Sequence, residues 1–359
     1  MADAAALFGS VRLRVAAGLP AIDSPRAALA PRLAPGRPTA AWPDLVGRLF
    51  TLCGSAHQFC AERAIAAARG DRSPATPLQR ERLRQATLRD QLQRIVHDWP
   101  RQLPRQPRHD PQHTARQLHG WRAEQWLGEP AAHWLQRHLQ DPHDGIAAWV
   151  RCPSSTGPLA ALLRPLLALQ LDTLAVPDVA LRLREHDLPA LAAAMTTPGF
   201  CLQPHWQGQA RSTGPWSRHA DAPPPATAWH LLLSRVVDLL QLAAPAGAHR
   251  LWHGALPLAE GEGLAWCEMA RGLLVHHVRL APDHEHLASS HVLAPTEWNC
   301  HPRGALAQAL ARLDAHRPAD ELQDTARALA VAFDPCVDFT LQLPDTPATI
   351  EAVRGPCHA

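Results

Sequence analysis

Apolar residues recur at helical spacing along most of this chain, and one stretch breaks that pattern by reading as a strand pair. Leu83, Leu88, Leu92, Ile95, Val96 and Trp99 fall on one face and predict a helix over 78–99. Ser55 with Gln58 three residues on reads as a capping box, which predicts a helix over 55–69 with Cys53 just ahead of its N-terminus. Further helices are expected near 159–171, 188–195, 228–242, 306–315 and 320–332. The exception is 270–292, where an apolar run through His276-His277-Val278, a polar turn at Asp283 and a second run through His291-Val292 read as a hairpin. With one early strand over 11–16, the expected fold class is mostly α with a small β component.

The 359 residues, 46% of them hydrophobic and 19% charged, suffice for a sizeable core and exclude a disordered chain. One domain over 1–359 is expected, with an irregular Pro/Ala-rich region at about 17–43, a break at 101–114, a loop at 222–225 and a tail at about 343–359. A net charge of +2 gives no field of one sign, so neither nucleic acid nor an anionic membrane is the expected partner. No run of about 18 apolar residues and no signal-peptide pattern is present, and the expected location is cytoplasmic. The eight scattered cysteines fit reduced thiols better than a disulfide framework. Thirty-five prolines, 22 histidines and no tyrosine point to a biased composition, so a single histidine carries little weight.

Chemistry concentrates at the two ends of the chain. Cys53-Gly54-Ser55-Ala56 and Asp334-Pro335-Cys336-Val337-Asp338-Phe339 each have the form of a two-cysteine metal motif that keeps its first thiol and lacks its second. Thiolates are soft ligands for iron, nickel, copper or zinc, so paired losses of this kind suggest a simplified metal site. A helix N-terminus favours an anionic sulfur, and Cys53 is expected to have a lowered pKa there. The same helix places His57 and Cys60 one turn apart near Cys53, so either is a candidate third ligand; for Cys60 a core role is equally open. Glu268 reads as an arginine's partner and Arg218 as a packing or ion-pair residue. Cys267 and Cys300 flank donor segments without matching a ligand pattern.

Read together, Cys53-Gly54, Thr213-Gly214-Pro215, Glu268-Met269-Ala270-Arg271-Gly272, Ala294-Pro295-Thr296-Glu297 and Asp334-Pro335-Cys336 resemble the large subunit of [NiFe] hydrogenases, over about 50–336. The resemblance implies a helical large-subunit-like fold of reduced size. In that family four thiolates hold nickel and an iron carrying cyanide and carbon monoxide, and the positions of Arg271, Pro295 and Thr296 would meet the cyanides. Buried anionic diatomic ligands need charge-assisted donors of this kind. The departures count as much: Ala56 and Phe339 replace the two bridging cysteines, Gln342 replaces the histidine that marks C-terminal processing, Cys60 replaces the first motif's histidine, and Thr51 its arginine. The glutamate-bearing proton-relay segment has no counterpart near residues 12–21.

A chain so altered resembles the HupK/HoxV type of hydrogenase accessory protein. The resemblance implies a non-catalytic scaffold or carrier that holds the Fe(CN)2(CO) group transiently through Cys53 and Cys336, without nickel. Implied partners are a small HypC-like chaperone, the complex that builds the iron group, and the apo large subunit. A degenerate catalytic subunit and a metal-free interaction module are the alternatives.

Overall fold

The computed structural model describes residues 9–50, 52–106, 121–142, 144–218, 225–244, 247, 249–344 and 350–353. Residues 222–224, the later part of the expected break at 101–114, Thr51 and Cys357-His358 lie outside them. Strands β1 (Val11–Arg14) and β2 (Ile22–Asp23) precede helices α1 (Trp42–Leu49), α2 (Gly54–Ala68) and α3 (Pro77–Gln93). Helices α4 (Ala131–Gln140), α5 (Gly145–Arg151), α6 (Pro158–Ala168), α7 (Leu188–Met195) and α8 (Ala228–Ala243) follow. Then come strands β3 (His253–Ala259), β4 (Glu262–Met269), β5 (Gly272–Leu280) and β6 (Leu287–Leu293). Helices α9 (Ala305–Ala311) and α10 (Ala319–Phe333) and strands β7 (Phe339–Gln342) and β8 (Ile350–Val353) complete the order. Strand β2 and the short helix Ala30–Leu33 fall in the stretch expected to be irregular, and β8 in the expected tail.

The expected hairpin is half of a four-stranded antiparallel sheet in the order β3-β4-β5-β6. This sheet is covered on both faces. Ala61, Ala64 and Ile65 of α2 share a core with Ala265, Cys267, Leu274 and Val278, while Leu188, Leu191 and Met195 of α7 pack with Leu264, Trp266, Leu273 and Val275 on the other side. Burial on two faces removes the alternation of polar and apolar residues that marks a surface strand, which is why β4 was not legible. A second sheet, β2-β1-β7-β8, joins the two ends of the chain: β1 runs parallel to β7, with Val11 opposite Phe339 and Arg14 opposite Gln342.

Two helix readings need correction. Cys53 itself is the N-cap of α2 and no side chain caps that end, because Ser55 already sits inside the first turn. The capping box of this region is Thr76/Gln79, at the start of α3, where Gln79 N donates to Thr76 Oγ1 at 3.2 Å and Thr76 N to Gln79 Oε1 at 2.9 Å. The helix expected over 78–99 widens at its end into a π turn, Arg94–Asp98, which leads into Trp99–Gln102. That turn carries Arg94 into the core at 2% exposure.

Candidate functional site

Two glycines fix two of the site residues. Gly54 follows Cys53, and a side chain there would collide with Gly47 O, 2.2 Å from its Cβ position, so only glycine lets the start of α2 lie against the backbone of α1. Gly272 follows Arg271 with φ of +129° and would place a Cβ 2.6 Å from Thr213 Oγ1. The two-residue turn Ala270-Arg271 between β4 and β5 is therefore pressed inside the molecule, and Arg271 is only 4% exposed. Gln91 Nε2 (3.1 Å) and Arg235 Nη1 (2.9 Å) both donate to Ala270 O and hold the turn.

The second thiol is placed by Asp334. This residue closes α10 in the left-handed conformation, φ 52°, and turns the chain toward Pro335-Cys336. Its buried carboxylate meets Arg94, Arg235 (Nη1, 3.0 Å) and Arg271 (Nε, 3.4 Å). Burial raises its pKa, but the three guanidinium charges outweigh burial and hold it below the usual carboxylate range. Asp334 is thus the counter-charge shared by three cations in the core, Arg94 having buried Asp98 as a second partner at 3.4 Å. Beside it, Thr296 Oγ1 donates to Cys336 Sγ at 2.8 Å and accepts from Cys336 N at 3.2 Å.

Cys53, Cys336, His57, Pro295 and Thr296 line one cavity of about 60 Å³, with Arg26 at its edge. A water needs roughly 10–15 Å³ of such space, so the cavity admits several water-sized groups, the scale of a metal with small diatomic ligands. Arg26 pairs with Glu297 at 2.7 Å, and an open groove of about 590 Å³ adjoins, sharing Arg26, Thr296 and Glu297 with the cavity. Arg271, expected to meet the bound ligands, is not among the residues lining the cavity, yet its charge acts on both thiols: burial lowers its pKa, but Asp334, Cys336, Cys53 and Asp90 outweigh this and keep it charged.

The expected lowering of the Cys53 pKa is corrected. Burial raises it well above the usual thiol range and the neighbouring Cys336 adds to this, while Arg271 opposes. Cys60, seven residues into the helix, turns away from the cavity: its sulfur faces Cys267 Sγ at 3.4 Å and Leu274 O at 3.9 Å. His57 reaches the cavity wall, but its Nδ1 is engaged with His276 Nε2 at 3.0 Å. Among the described residues, no three His, Cys, Asp or Glu side chains converge to hold a metal ion. Cys53 and Cys336 remain as a pair of thiols lining the cavity, a donor set that fits a metal bringing its own small ligands and not one needing a full protein cage.

Arg218 and Glu268 behave as their motifs suggest. Arg218 joins Asp238 of α8 to Glu268 of β4 (3.5 Å) and donates to Met269 O at 2.6 Å, and burial pushes the Glu268 pKa up to about 7. Sequence reasoning missed Arg26, His276, Asp90 and the hub role of Asp334. Only Asp334 carried a local signal, its place two residues before Cys336.

This architecture is that of the [NiFe] hydrogenase large subunit. The chain superposes on an NAD+-reducing [NiFe]-hydrogenase with a TM-score of 0.50, covering 84% of this chain and 88% of that one at 16% identity. Against the [NiFeSe]-hydrogenase of Dm. baculatum the TM-score is 0.51, with 85% and 90% covered at 14% identity. At such identities the likeness is one of fold. No family model matches the sequence. The chain belongs to the HoxV/HupK family of hydrogenase expression/formation proteins: it is 33% identical over 391 residues to hydrogenase expression/formation protein HoxV of Cupriavidus necator, covering 96% of this chain and 98% of that one. It is also 32% identical over 339 residues to hydrogenase expression/formation protein HupK of Bradyrhizobium diazoefficiens, with 86% and 88% covered.

Proposed function

We propose that this chain is a [NiFe] hydrogenase maturation factor that receives the Fe(CN)2(CO) group as cargo and passes it to the apo large subunit. The observation that carries the reading is that Cys53 and Cys336, far apart in sequence, line one cavity, with Thr296 bonded to Cys336 and the charged Arg271 within electrostatic reach of both. Each thiol gives up its proton when it binds iron, and the metal's charge offsets the burial that otherwise keeps Cys53 protonated. Two sulfurs in place of four make the cargo easier to release. Alanine and phenylalanine at 56 and 339 supply no bridge to a second metal, so nickel is not expected and the protein acts as a scaffold, not an enzyme. The open groove next to the cavity is the face on which a HypC-like chaperone, the iron-group assembly complex or the large subunit would meet the cargo in the cytoplasm.

Infrared spectra of anaerobic protein, purified from cells expressing the maturation machinery, test this. Cyanide and carbonyl bands are expected in the wild type and are expected to vanish in the double variant Cys53→Ala, Cys336→Ala. Wild-type spectra without those bands sink the proposal. That no three ligating side chains converge among the described residues favours one second reading, a metal-free interaction module, for which Cys53→Ser would leave hydrogenase maturation intact.

A further inference from the structure

Two histidines meet at the cavity wall, and the nitrogens that carry their protons decide what His57 offers to anything bound there. His57 stacks on Phe50, ring centroids 3.9 Å apart and planes 15° apart, and its Nδ1 lies 3.0 Å from His276 Nε2. The rings are 1% and 0% exposed, and burial lowers both pKa values, that of His276 to about 3, so each is a neutral imidazole with one N–H. With Nδ1 turned to His276, Nε2 is the nitrogen of His57 left for the cavity it lines.

Two arrangements make the shared hydrogen bond. If His57 donates from Nδ1, His276 must hold its proton on its own Nδ1, which is buried with no hydrogen-bond partner; His57 Nε2 is then a bare lone pair suited to a metal. If His276 donates from Nε2, its buried Nδ1 is an unfilled acceptor and His57 carries its proton on Nε2. The buried Nδ1 of His276 is unpaired in both arrangements, as a donor in the first and as a lone pair in the second. What separates them is that the second leaves both rings as the Nε2–H tautomer, the preferred form of a free histidine side chain. Of the other donors nearby, the Thr296 hydroxyl is engaged with Cys336, Arg26 pairs with Glu297 through Nη1, and Arg271 meets Asp334 through Nε.

We infer that His57 presents an Nε2–H donor to the cavity and recognises the acceptor end of a small anionic ligand there, the nitrogen of a metal-bound cyanide, instead of binding the metal. The identity of the ligand rests on the iron-group reading, whereas the proton position does not. Charge-assisted hydrogen bonds of this kind fix an anion's orientation without holding its metal, and they let the cargo leave when the two sulfurs are exchanged.

Long-range proton–nitrogen NMR on the full-length, cargo-free protein with labelled histidine tests the tautomer, with His57→Gln and His276→Gln spectra assigning the two rings. Protonated Nε2 and bare Nδ1 on His57 are expected; a proton on Nδ1 overturns the inference. On cargo-loaded protein, His57→Leu is expected to move a cyanide band while the carbonyl band persists, and His57→Gln, which restores an amide donor, to return the cyanide band towards its wild-type position. Unmoved cyanide bands in His57→Leu overturn the inference, as does loss of every band in both variants at an unchanged unfolding temperature, which assigns His57 to the metal. If the wild type shows no cyanide band the iron-group reading falls, and the NMR result alone decides whether the cavity holds this donor.

Discussion

Helix α2 carries two cysteines with opposite fates. Cys53, at its N-cap, opens on a cavity that Cys336 also lines and feels the charge of Arg271; Cys60, two turns on, is sealed against Cys267 at 3.4 Å with both residues at 0% exposure. Burial raises the pKa of both, but at Cys60 the hydrogen bond and charge of Cys267 push in the same direction, whereas at Cys53 a guanidinium pushes back. Burial alone therefore does not distinguish the two thiols. A cation within electrostatic reach and a place for a ligand to sit do.

The strongest way to break this contrast is to remove what places the cation. Asp334→Asn leaves Arg94, Arg235 and Arg271 in the core without their shared counter-charge, and should lower the unfolding free energy by about 3–5 kcal/mol in urea titrations. A loss below about 1 kcal/mol would mean that the guanidinium groups are compensated elsewhere. Exchanging the fates of the two thiols is the next test. Cys60→Ala should cost about 1–2 kcal/mol of stability through lost packing while cargo bands persist, and Cys53→Ala should shift stability by less than about 1 kcal/mol while the bands disappear. Bands lost in Cys60→Ala and kept in Cys53→Ala would reverse the assignment.

The smallest effect is on pH dependence. The folded pKa values of Cys53 and Cys60 lie above the unfolded thiol value of about 8.5, so the folded state disfavours the thiolates. The resulting stability is fully present below about pH 8.5 and is lost as pH rises through the folded values. Chemical denaturation from neutral to strongly alkaline pH should show a decline above that point, and the decline should be shallower in Cys60→Ala. A flat profile in the wild type would contradict the burial described for both sulfurs.

The short segments around the site were legible because each couples a reactive residue to a backbone demand: Cys53 to Gly54 at a helix start, Arg271 to Gly272 at a turn that needs positive φ, Thr296 to Pro295 at the first turn of the short helix Pro295–Asn299. The helices over 188–195, 228–242 and 320–332 were legible from apolar spacing, and α7 matches it residue for residue. What the spacing could not show are contacts between distant elements. Asp334 is a hub only because α8 brings Arg235 and the π turn after α3 brings Arg94, and neither arginine differs locally from those on solvated helices. His276 sits in an apolar strand where composition had already made a histidine uninformative. Strands β3 and β4 escaped because Pro257 breaks one and burial on both faces hides the other.

The parallel pairing of β1 with β7 has a consequence in time. During synthesis Cys53 leaves the ribosome early, and α2 can form as soon as its own residues have emerged. Strand β7, which follows Cys336 and docks beside Val11–Arg14, emerges long after Cys53. The second thiol is set in place when β7 closes beside β1, so on the carrier reading a chain that has not yet made Cys336 has one of the two thiols and could not take up cargo. Loading would then wait for that closure.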